Sequence, residues 1–276
     1  MSKITLRDYQ AKAVLFTQKV DKSLLCMRVG SGKTVCAMFA IREFLNKKQV
    51  DKAIVACTKS SVSVFKKDFK EKAGLNVSLY ETEEQLISFL KGSEKVCLIK
   101  HGMFEKAGSD LMTIKRLEKL SKEGLRVALV IDEAHKIQNT EGVAQCAYHR
   151  IDFLFNKVVL LTATPYSSCL SQFWGLICLI HPEIWPTKKS FYFNYIDELV
   201  IRDPKTHRPV RKEKIRYKNL KDFRTKIEPF TYFYYPPIPL VHVEHHTVLK
   251  DYTEYDELCK GIIKEKEESN VDRKKT

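Results

Sequence analysis

Short apolar runs alternate with segments of helical periodicity over the first 186 residues. Five of these runs have the length and residue types of buried strands, and they lie at 24–27, 53–57, 96–99, 127–131 and 158–161. The segments between them repeat apolar residues every three to four positions, which predicts helices at 33–45, 62–72, 83–91, 111–123 and 142–150. Strands that alternate with helices indicate a parallel sheet with helices on both faces. We therefore predict an α/β fold whose ligand edge carries the loops that follow the strands.

The pattern changes after residue 186. Residues 187–228 have a helical or irregular pattern and are basic, whereas residues 229–239 combine four prolines with Phe and Tyr, which is typical of a fixed linker. Residues 240–248 alternate like a half-exposed strand, and we expect the charged tail from Lys260 to fray. The predicted domains are a first lobe at 1–186, a basic helical insertion with its linker at 187–239, and the start of a second lobe or a frayed tail at 240–276.

Composition narrows the class of protein. No apolar run approaches the roughly 20 residues that a membrane span needs, and the N-terminus lacks the apolar core of a signal peptide. The eight cysteines show no zinc spacing, and several lie in predicted strands, so we expect reduced core thiols. The net charge of +14 favours a polyanionic partner, most often nucleic acid, with generic solubility as the alternative.

Much of this charge lies between residues 202 and 226, where eleven basic residues face three acidic ones. Basic side chains neutralise phosphates without reading base sequence. Arg211 and Lys212, in the middle of the run, are therefore candidate contacts to a nucleic-acid backbone. The alternative is a solvated insertion that touches no nucleic acid.

The segment 27–34 carries the first chemical signal. It reads Met-Arg-Val-Gly-Ser-Gly-Lys-Thr, with Met where the usual pattern has its first glycine, and it joins a predicted strand to a predicted helix. Such a loop is the phosphate cradle of P-loop nucleotide-binding enzymes. Lys33 would reach the terminal phosphates, and the Thr34 hydroxyl would bind Mg²⁺. The candidate nucleotide-binding residues in this segment are Arg28, Val29, Gly30, Ser31, Gly32, Lys33 and Thr34.

Two carboxylates follow the apolar run at 127–131. Asp132 and Glu133 stand at the C-terminal end of a predicted central strand, where a doubly wound sheet binds its ligands. We predict that Asp132 holds Mg²⁺ through water and that Glu133 accepts a proton from the attacking water. These two residues and Lys33 are the candidate catalytic residues. The pair, together with the earlier P-loop, favours this interpretation over two solvated acids.

The next predicted strand ends in Thr162-Ala163-Thr164-Pro165. Because neighbouring strand ends meet at one edge of a parallel sheet, the Thr162 hydroxyl could hydrogen-bond the carboxylates after the preceding strand. The alternative is a turn and an N-cap for the helix that follows.

These segments together resemble superfamily 2 helicases and translocases of the Swi/Snf-type branch. Residues 6–10, Leu-Arg-Asp-Tyr-Gln, are similar to the adenine-reading segment, and motifs I, II and III match 27–34, 132–135 and 162–164. The continuation of motif II as Lys-Ile-Gln-Asn, Phe-Trp-Gly-Leu at 173–176 and Ile-His-Pro at 180–182 favour that branch. The resemblance covers about residues 4–258 and implies a divergent RecA-like ATP-binding lobe 1, of phage, viral or bacterial type.

The resemblance also implies roles for matching residues. Gln10 would read adenine with Arg7 nearby, and the residues that couple the nucleotide state to nucleic acid would be His135, Thr162 and Thr164. The loops after the predicted strands at 53–57 and 96–99 would contact the backbone of the DNA strand along which the protein moves. The residues concerned are Thr58, Lys59, Ser60, His101 and Gly102. For these two loops, ordinary surface is the alternative.

The implied function is that of an ATP-dependent DNA helicase or translocase, an ATP hydrolase acting in repair, recombination or replication, including branch migration or duplex remodelling. ATP and Mg²⁺ would be its cofactors, and duplex or branched DNA its partner, with no membrane partner. We expect a C-terminal RecA-like lobe in the same protein or in a partner, because nothing after residue 248 supplies the arginine-bearing motif, and we expect little activity without it. The expected location is intracellular, in a bacterial cytoplasm, a nucleus or a viral factory. A nucleic-acid-binding module with a vestigial ATPase and an RNA helicase remain the alternatives.

Overall fold

The computed structural model describes residues 5–165, 170–202 and 209–235. Within these residues the strands are β1 (Lys22–Met27), β2 (Lys52–Cys57), β3 (Ser78–Tyr80), β4 (Val96–Lys100), β5 (Val127–Ile131), β6 (Phe155–Thr162), β7 (Ile196–Arg202), β8 (Pro209–Tyr217) and β9 (Thr231–Tyr234). Seven of them form a parallel sheet in the order β3-β4-β2-β5-β6-β1-β9. The parallel sheet predicted from the apolar runs is therefore confirmed.

Helices cover both faces of this sheet. They are α1 (Asp8–Lys19), α2 (Lys33–Asn46), α3 (Val62–Asp68), α4 (Glu83–Lys91), α5 (Gly102–Ser109), α6 (Leu111–Lys122), α7 (Val143–His149), α8 (Ser171–Cys178), α9 (Lys188–Tyr195) and α10 (Leu220–Ile227). Successive strand residues enter opposite cores: Leu24 packs in the cluster with α4 to α10, and Leu25 in the cluster with α1 to α3. Burial on both faces is the reason why these strands are continuous apolar runs.

All five predicted strands are present, lengthened by one to three residues at some ends. The elements that the sequence pattern did not predict are the short edge strand β3 and helices such as α1 and α5. In the part of the chain that the structure describes, no helix combines the length and the apolar character that a bilayer crossing requires.

Residues 196–217 correct the expectation of helical or irregular backbone over 187–228. Strands β7 and β8 form an antiparallel hairpin whose register runs from Ile196 opposite Tyr217 to Arg202 opposite Pro209. The flanking α9 and α10 are helical, so the expectation is right for these two segments alone. Residues of high β-propensity, such as Ile196, Val200 and Ile201, favour the hairpin, and the density of charged residues conceals this preference in the sequence.

Strand β9 corrects the expectation of a linker over 229–239. Residues 231–234 pair with β1 in parallel, from Leu24 opposite Thr231 to Met27 opposite Tyr234. Their sequence, Thr-Tyr-Phe-Tyr, consists of residues that favour strands. The sheet thus includes a strand beyond residue 186, while the division into domains stays a prediction. The predicted strand at 240–248 and the tail lie outside the described residues.

Helix α8 packs closely against the segment that follows β5. A Cβ atom added to Gly175 would lie 1.9 Å from the carbonyl oxygen of Gln138, so the two backbones touch at a distance that only glycine allows. Gly108 of α5 makes an equally close approach, because an added Cβ would lie 2.1 Å from the carbonyl oxygen of Ala147 in α7. These contacts fix the helices beside the C-terminal edge of the sheet.

Candidate nucleotide site

The loop between β1 and α2 has the backbone of a phosphate cradle. Gly30 and Gly32 adopt φ angles of +78° and +80°, which glycine adopts without steric cost. Gly32 is the N-cap of α2, and no side chain caps this helix terminus. The first N–H groups of α2 and the positive end of its dipole therefore face the loop, which is the arrangement that binds anionic phosphates.

Lys33 and Asp132 lie close enough to influence each other. Lys33 is 9% exposed, and its ammonium group donates to the carbonyl oxygen of Met27 at 3.4 Å. Asp132, at the end of β5, is 6% exposed. Burial and the neighbouring Glu133 carboxylate raise the pKa of Asp132, whereas a hydrogen bond from Ser61 and the Lys33 charge oppose this rise. A desolvated carboxylate beside a second carboxylate favours a bound cation, so the Asp132 carboxylate fits Mg²⁺. Thr34, in the first turn of α2, carries the other candidate oxygen ligand.

Glu133 has a strained backbone and a defined neighbour. Its φ of +49° is uncommon for a residue with a side chain. Glu133 stands immediately before a short 3₁₀ turn, Ala134–Ile137, and its carboxylate lies 3.3 Å from Nδ1 of His135. Strain of this kind is concentrated at functional sites, and here it places the candidate base over the sheet edge.

Thr162 contacts the motif II segment through His135 and not through the carboxylates themselves. Its buried hydroxyl lies 3.2 Å from Nδ1 of His135 and accepts a hydrogen bond from the Thr164 N–H at 3.1 Å. The expected direct bond between Thr162 and Asp132 or Glu133 is replaced by this indirect link. Hydrogen bonds thus connect the three residues that the resemblance assigns to coupling, and the His135 ring also lies beside the Glu133 carboxylate.

The adenine-reading segment is tied to the P-loop by Gln10. The Gln10 Nε2 donates to the carbonyl oxygen of Ser31 at 2.9 Å, and its Oε1 accepts from the Arg7 N–H at 3.0 Å. Each bond uses one of two N–H groups or one of two lone pairs, so one donor and one acceptor of the amide remain for the edge of an adenine. The Arg7 guanidinium lies 3.4 Å from the hydroxyl of Tyr9.

Two tyrosines complete this region, and sequence reasoning missed both roles. Tyr9 donates to the carbonyl oxygen of Ser31 at 3.1 Å, and its ring stacks on Tyr234 of β9 with centroids 3.8 Å apart and planes at 7°. The Arg28 N–H of the P-loop donates to the carbonyl oxygen of Tyr234 at 3.1 Å. The aromatic run at 230–235 was the available signal, but only the pairing of β9 with β1 shows its use.

The loops predicted to contact DNA lie at the same sheet edge, beyond β5. After β2, the Thr58 hydroxyl lies 2.9 Å from the hydroxyls of Ser60 and Ser61, and the Lys59 side chain is exposed. After β4, His101 turns its ring towards motif II, with Nε2 2.8 Å from the carbonyl oxygen of Asp132. Burial lowers the pKa of His101. Of this second loop, the exposed Gly102 is the part that faces solvent.

The remaining two candidates, Arg211 and Lys212, lie on β8 at positions paired with Ile201 and Val200. They belong to the hairpin and not to the loops at the end of the main sheet. In the described residues, no group of three or more His, Cys, Asp or Glu side chains is arranged to hold a metal ion.

This fold and this arrangement of groups define a RecA-like P-loop lobe, which is similar to the N-terminal lobe of superfamily 2 proteins of the Swi/Snf-type branch. The chain belongs to the family described as "Type III restriction enzyme, res subunit", which matches residues 3–167.

Two relatives and one solved structure are similar to this chain over most of its length. "Protein CHROMATIN REMODELING 5" of Arabidopsis thaliana is 26% identical over 201 residues, which are 69% of this chain and 12% of the relative. A putative ATP-dependent RNA helicase of Acanthamoeba polyphaga mimivirus is 24% identical over 194 residues, 70% of this chain and 36% of the relative. The Sulfolobus solfataricus SWI2/SNF2 ATPase core in complex with dsDNA has a TM-score of 0.61 at 16% identity, over 83% of this chain and 44% of that chain. This chain therefore spans much less than two thirds of these proteins.

Proposed function

We propose that this chain is the ATP-binding lobe of an ATP-dependent DNA translocase or helicase. The observation that carries the proposal is the convergence of the uncapped N-terminus of α2, Lys33 and Asp132 at one edge of the sheet. All three serve one purpose, the binding of a Mg²⁺-bound polyphosphate.

The chain's own residues suffice to bind and orient the nucleotide. The N–H groups of 30–34 hold the phosphates, Lys33 neutralises the terminal phosphates, and Thr34 and Asp132 hold the metal. Mg²⁺, when held there, would neutralise part of the phosphate charge. Glu133 accepts the proton of the attacking water, and the contact with His135 orients its carboxylate.

Support for DNA as the partner comes from charge and position. The loops at 58–60 and 101–102 follow strands at the nucleotide edge, and the basic run at 202–226 includes the hairpin strand β8. Hydroxyl, amide and lysine groups bind a phosphate backbone without reading bases. The solved relative named above was determined with double-stranded DNA. The pathway, the DNA structure preferred and the intracellular location stay predictions.

A second RecA-like lobe, in the same protein or in a partner, is part of this proposal. Strand β9 ends beside the P-loop, and the Tyr235 hydroxyl donates to the carbonyl oxygen of Ala163 in motif III at 2.9 Å. Tyr234 and Tyr235 therefore contact the P-loop and motif III, respectively. An arginine from a second lobe would stabilise the charge of the transition state.

Steady-state ATP hydrolysis tests the proposal. The chain is assayed alone and joined to a second lobe, each without nucleic acid and with single-stranded, duplex or branched DNA or RNA. Strong stimulation of the two-lobe form alone supports the motor, and the best activator identifies the substrate; better stimulation by RNA supports the RNA helicase instead. If neither form hydrolyses or binds Mg-ATP and Lys33→Ala changes nothing, the P-loop is vestigial.

The salt dependence of DNA affinity tests whether the hairpin of β7 and β8 contacts DNA. Reversal of two charges, R211E with K212E, should reduce the slope of log affinity against log salt by about 2 if both side chains contact phosphates, since each contact contributes about 0.9. The matched control reverses Lys115 and Lys119, both exposed on α6. Equal slopes for the hairpin variant and the unmodified chain support a solvated insertion.

A further inference from the structure

Asp132 is the residue at which both predicted DNA-contacting loops meet motif II. Its N–H donates to the carbonyl oxygen of Ala56 at the end of β2, at 2.8 Å. Its carbonyl oxygen lies 2.8 Å from Nε2 of His101, in the loop after β4. The hydroxyl of Ser61, in the loop after β2, acts on the Asp132 carboxylate as a hydrogen-bond donor that lowers its pKa. The N–H and the carbonyl oxygen of this candidate metal ligand are thus both hydrogen-bonded, one to β2 and the other to the loop after β4.

The link through His101 has a fixed direction. A carbonyl oxygen only accepts hydrogen bonds, so Nε2 of His101 carries the hydrogen and donates to Asp132. The ring is half-buried, and the next residue, Gly102, is exposed at the start of α5. A phosphate that binds to this loop would therefore act one residue away from a direct bond to the motif II backbone.

The link through Ser61 starts from the other loop. The Thr58 hydroxyl accepts a hydrogen bond from the Ser61 N–H at 3.2 Å and lies 2.9 Å from the Ser61 hydroxyl. Ser60, in the same turn, is exposed and shares the Thr58 hydroxyl. A phosphate that competes for the Thr58 or Ser60 hydroxyl would change the orientation of Ser61 and hence its bond to the Asp132 carboxylate.

We propose that His101 and Ser61 are positioning residues that connect backbone contact at the two loops to the placement of Asp132. The inference rests on the proposed function, since it assumes that DNA binds at the loops and Mg-nucleotide at Asp132. It goes beyond that function by assigning the connection to two side chains, one of which, His101, was expected from the sequence to bind DNA itself.

Binding measurements test the assignment without recourse to turnover. The affinity for a fluorescent DNA duplex is measured with and without Mg²⁺ and a non-hydrolysable ATP analogue, because coupling between two sites is reciprocal. We expect the nucleotide to change the DNA affinity of the unmodified chain by about 5-fold or more, the lower end of typical coupling. His101→Leu and Ser61→Ala should each reduce this factor at least about threefold.

Matched variants separate positioning from structure. His101→Gln keeps an N–H donor and Ser61→Thr keeps a hydroxyl, so both should restore most of the factor. His149→Leu removes a half-buried histidine that pairs with Asp152, away from the site, and should leave the factor unchanged. Far-UV circular dichroism and urea unfolding check that each variant folds.

The outcomes separate this inference from the proposed function. If the unmodified chain binds neither DNA nor Mg-nucleotide, the proposed function fails. If it binds both and the two affinities are independent, or if His101→Leu and Ser61→Ala leave the coupling intact, the inference is wrong and the proposed function stands. Loss of coupling in these two variants with recovery in His101→Gln and Ser61→Thr supports the inference.

Discussion

The two P-loop glycines offer a matched pair of substitutions. Gly30 and Gly32 have nearly equal φ angles of +78° and +80°, so alanine at either position meets a similar backbone strain of about 1–2 kcal/mol. Their surroundings differ. A Cβ on Gly30 would meet no atom within 4 Å, whereas a Cβ on Gly32 would lie 2.4 Å from Nε2 of Gln10. The second substitution therefore displaces the residue that joins the adenine-reading segment to the P-loop.

The displacement of Gln10 has a calculable cost. Its amide is 8% exposed and makes one bond to the Ser31 carbonyl and one to the Arg7 N–H. Loss of one or both bonds costs about 0.5–1.5 kcal/mol each. We therefore expect Gly30→Ala to reduce the free energy of unfolding by about 1–2 kcal/mol from strain alone. Gly32→Ala should reduce it by about 0.5–3 kcal/mol more, from the loss of one or both bonds.

Urea unfolding without nucleotide measures these values, and a double-mutant cycle identifies their source. In a Gln10→Ala background the obstructing amide is gone, so Gly32→Ala should cost no more than Gly30→Ala does. Equal destabilisation by the two glycine variants would refute the reasoning. So would a Gly32→Ala cost that is independent of Gln10, since either result means that the amide does not set the position of the loop.

Three further outcomes are expected. Glu133→Gln should keep Mg-nucleotide affinity within about threefold and lower turnover at least about 100-fold, as loss of a proton acceptor does; equilibrium titration beside steady-state assay checks both. Tyr234→Ala should weaken nucleotide affinity more than Tyr234→Phe, which keeps the stack on Tyr9, and titration with a fluorescent nucleotide distinguishes them. Asp51→Asn should destabilise the chain at neutral pH and progressively less in acid, because the hydrogen bond from Arg126 lowers the pKa of Asp51 in the folded state. The stability that this carboxylate contributes is therefore fully present above its unfolded pKa, near 4, and is lost as the pH falls through the folded pKa. Urea unfolding of both proteins from about pH 7 to about pH 3 measures the difference.

The central strands and the phosphate loop could be predicted because local sequence determines them. Strand β5 is apolar at all five positions, since both of its faces are buried, and no helix period competes with that pattern. The glycines at 30 and 32 supply the left-handed backbone that the phosphate loop requires. In these elements, residues that are close in the sequence are also close in the structure, so the local sequence is sufficient for the prediction.

The hairpin and β9 could not be predicted in the same way. In β7 and β8 apolar and charged residues are mixed without a regular period, and a two-stranded ribbon has no core of its own that would require one. In β9 four residues lie between Pro229 and the prolines at 236–239, and the partner that makes them a strand is β1, about two hundred residues earlier in the chain. Likewise, the roles inferred for Ser61, His101 and Tyr234 depend on which strand ends lie next to each other in the sheet.

The order of the strands explains why Asp132 is the meeting point. On one side of β5 lie β2 and β4, whose following loops carry the predicted DNA contacts. On the other side lie β6, β1 and β9, which carry motif III, the P-loop and the tyrosine stacked on the adenine-reading segment. A parallel sheet brings all these loops to one edge, and β5 is the strand that separates the two groups. Any short path of direct contacts along this edge, from the loops at 58–61 and 101–102 to the phosphate loop, therefore passes through the residues that end β5.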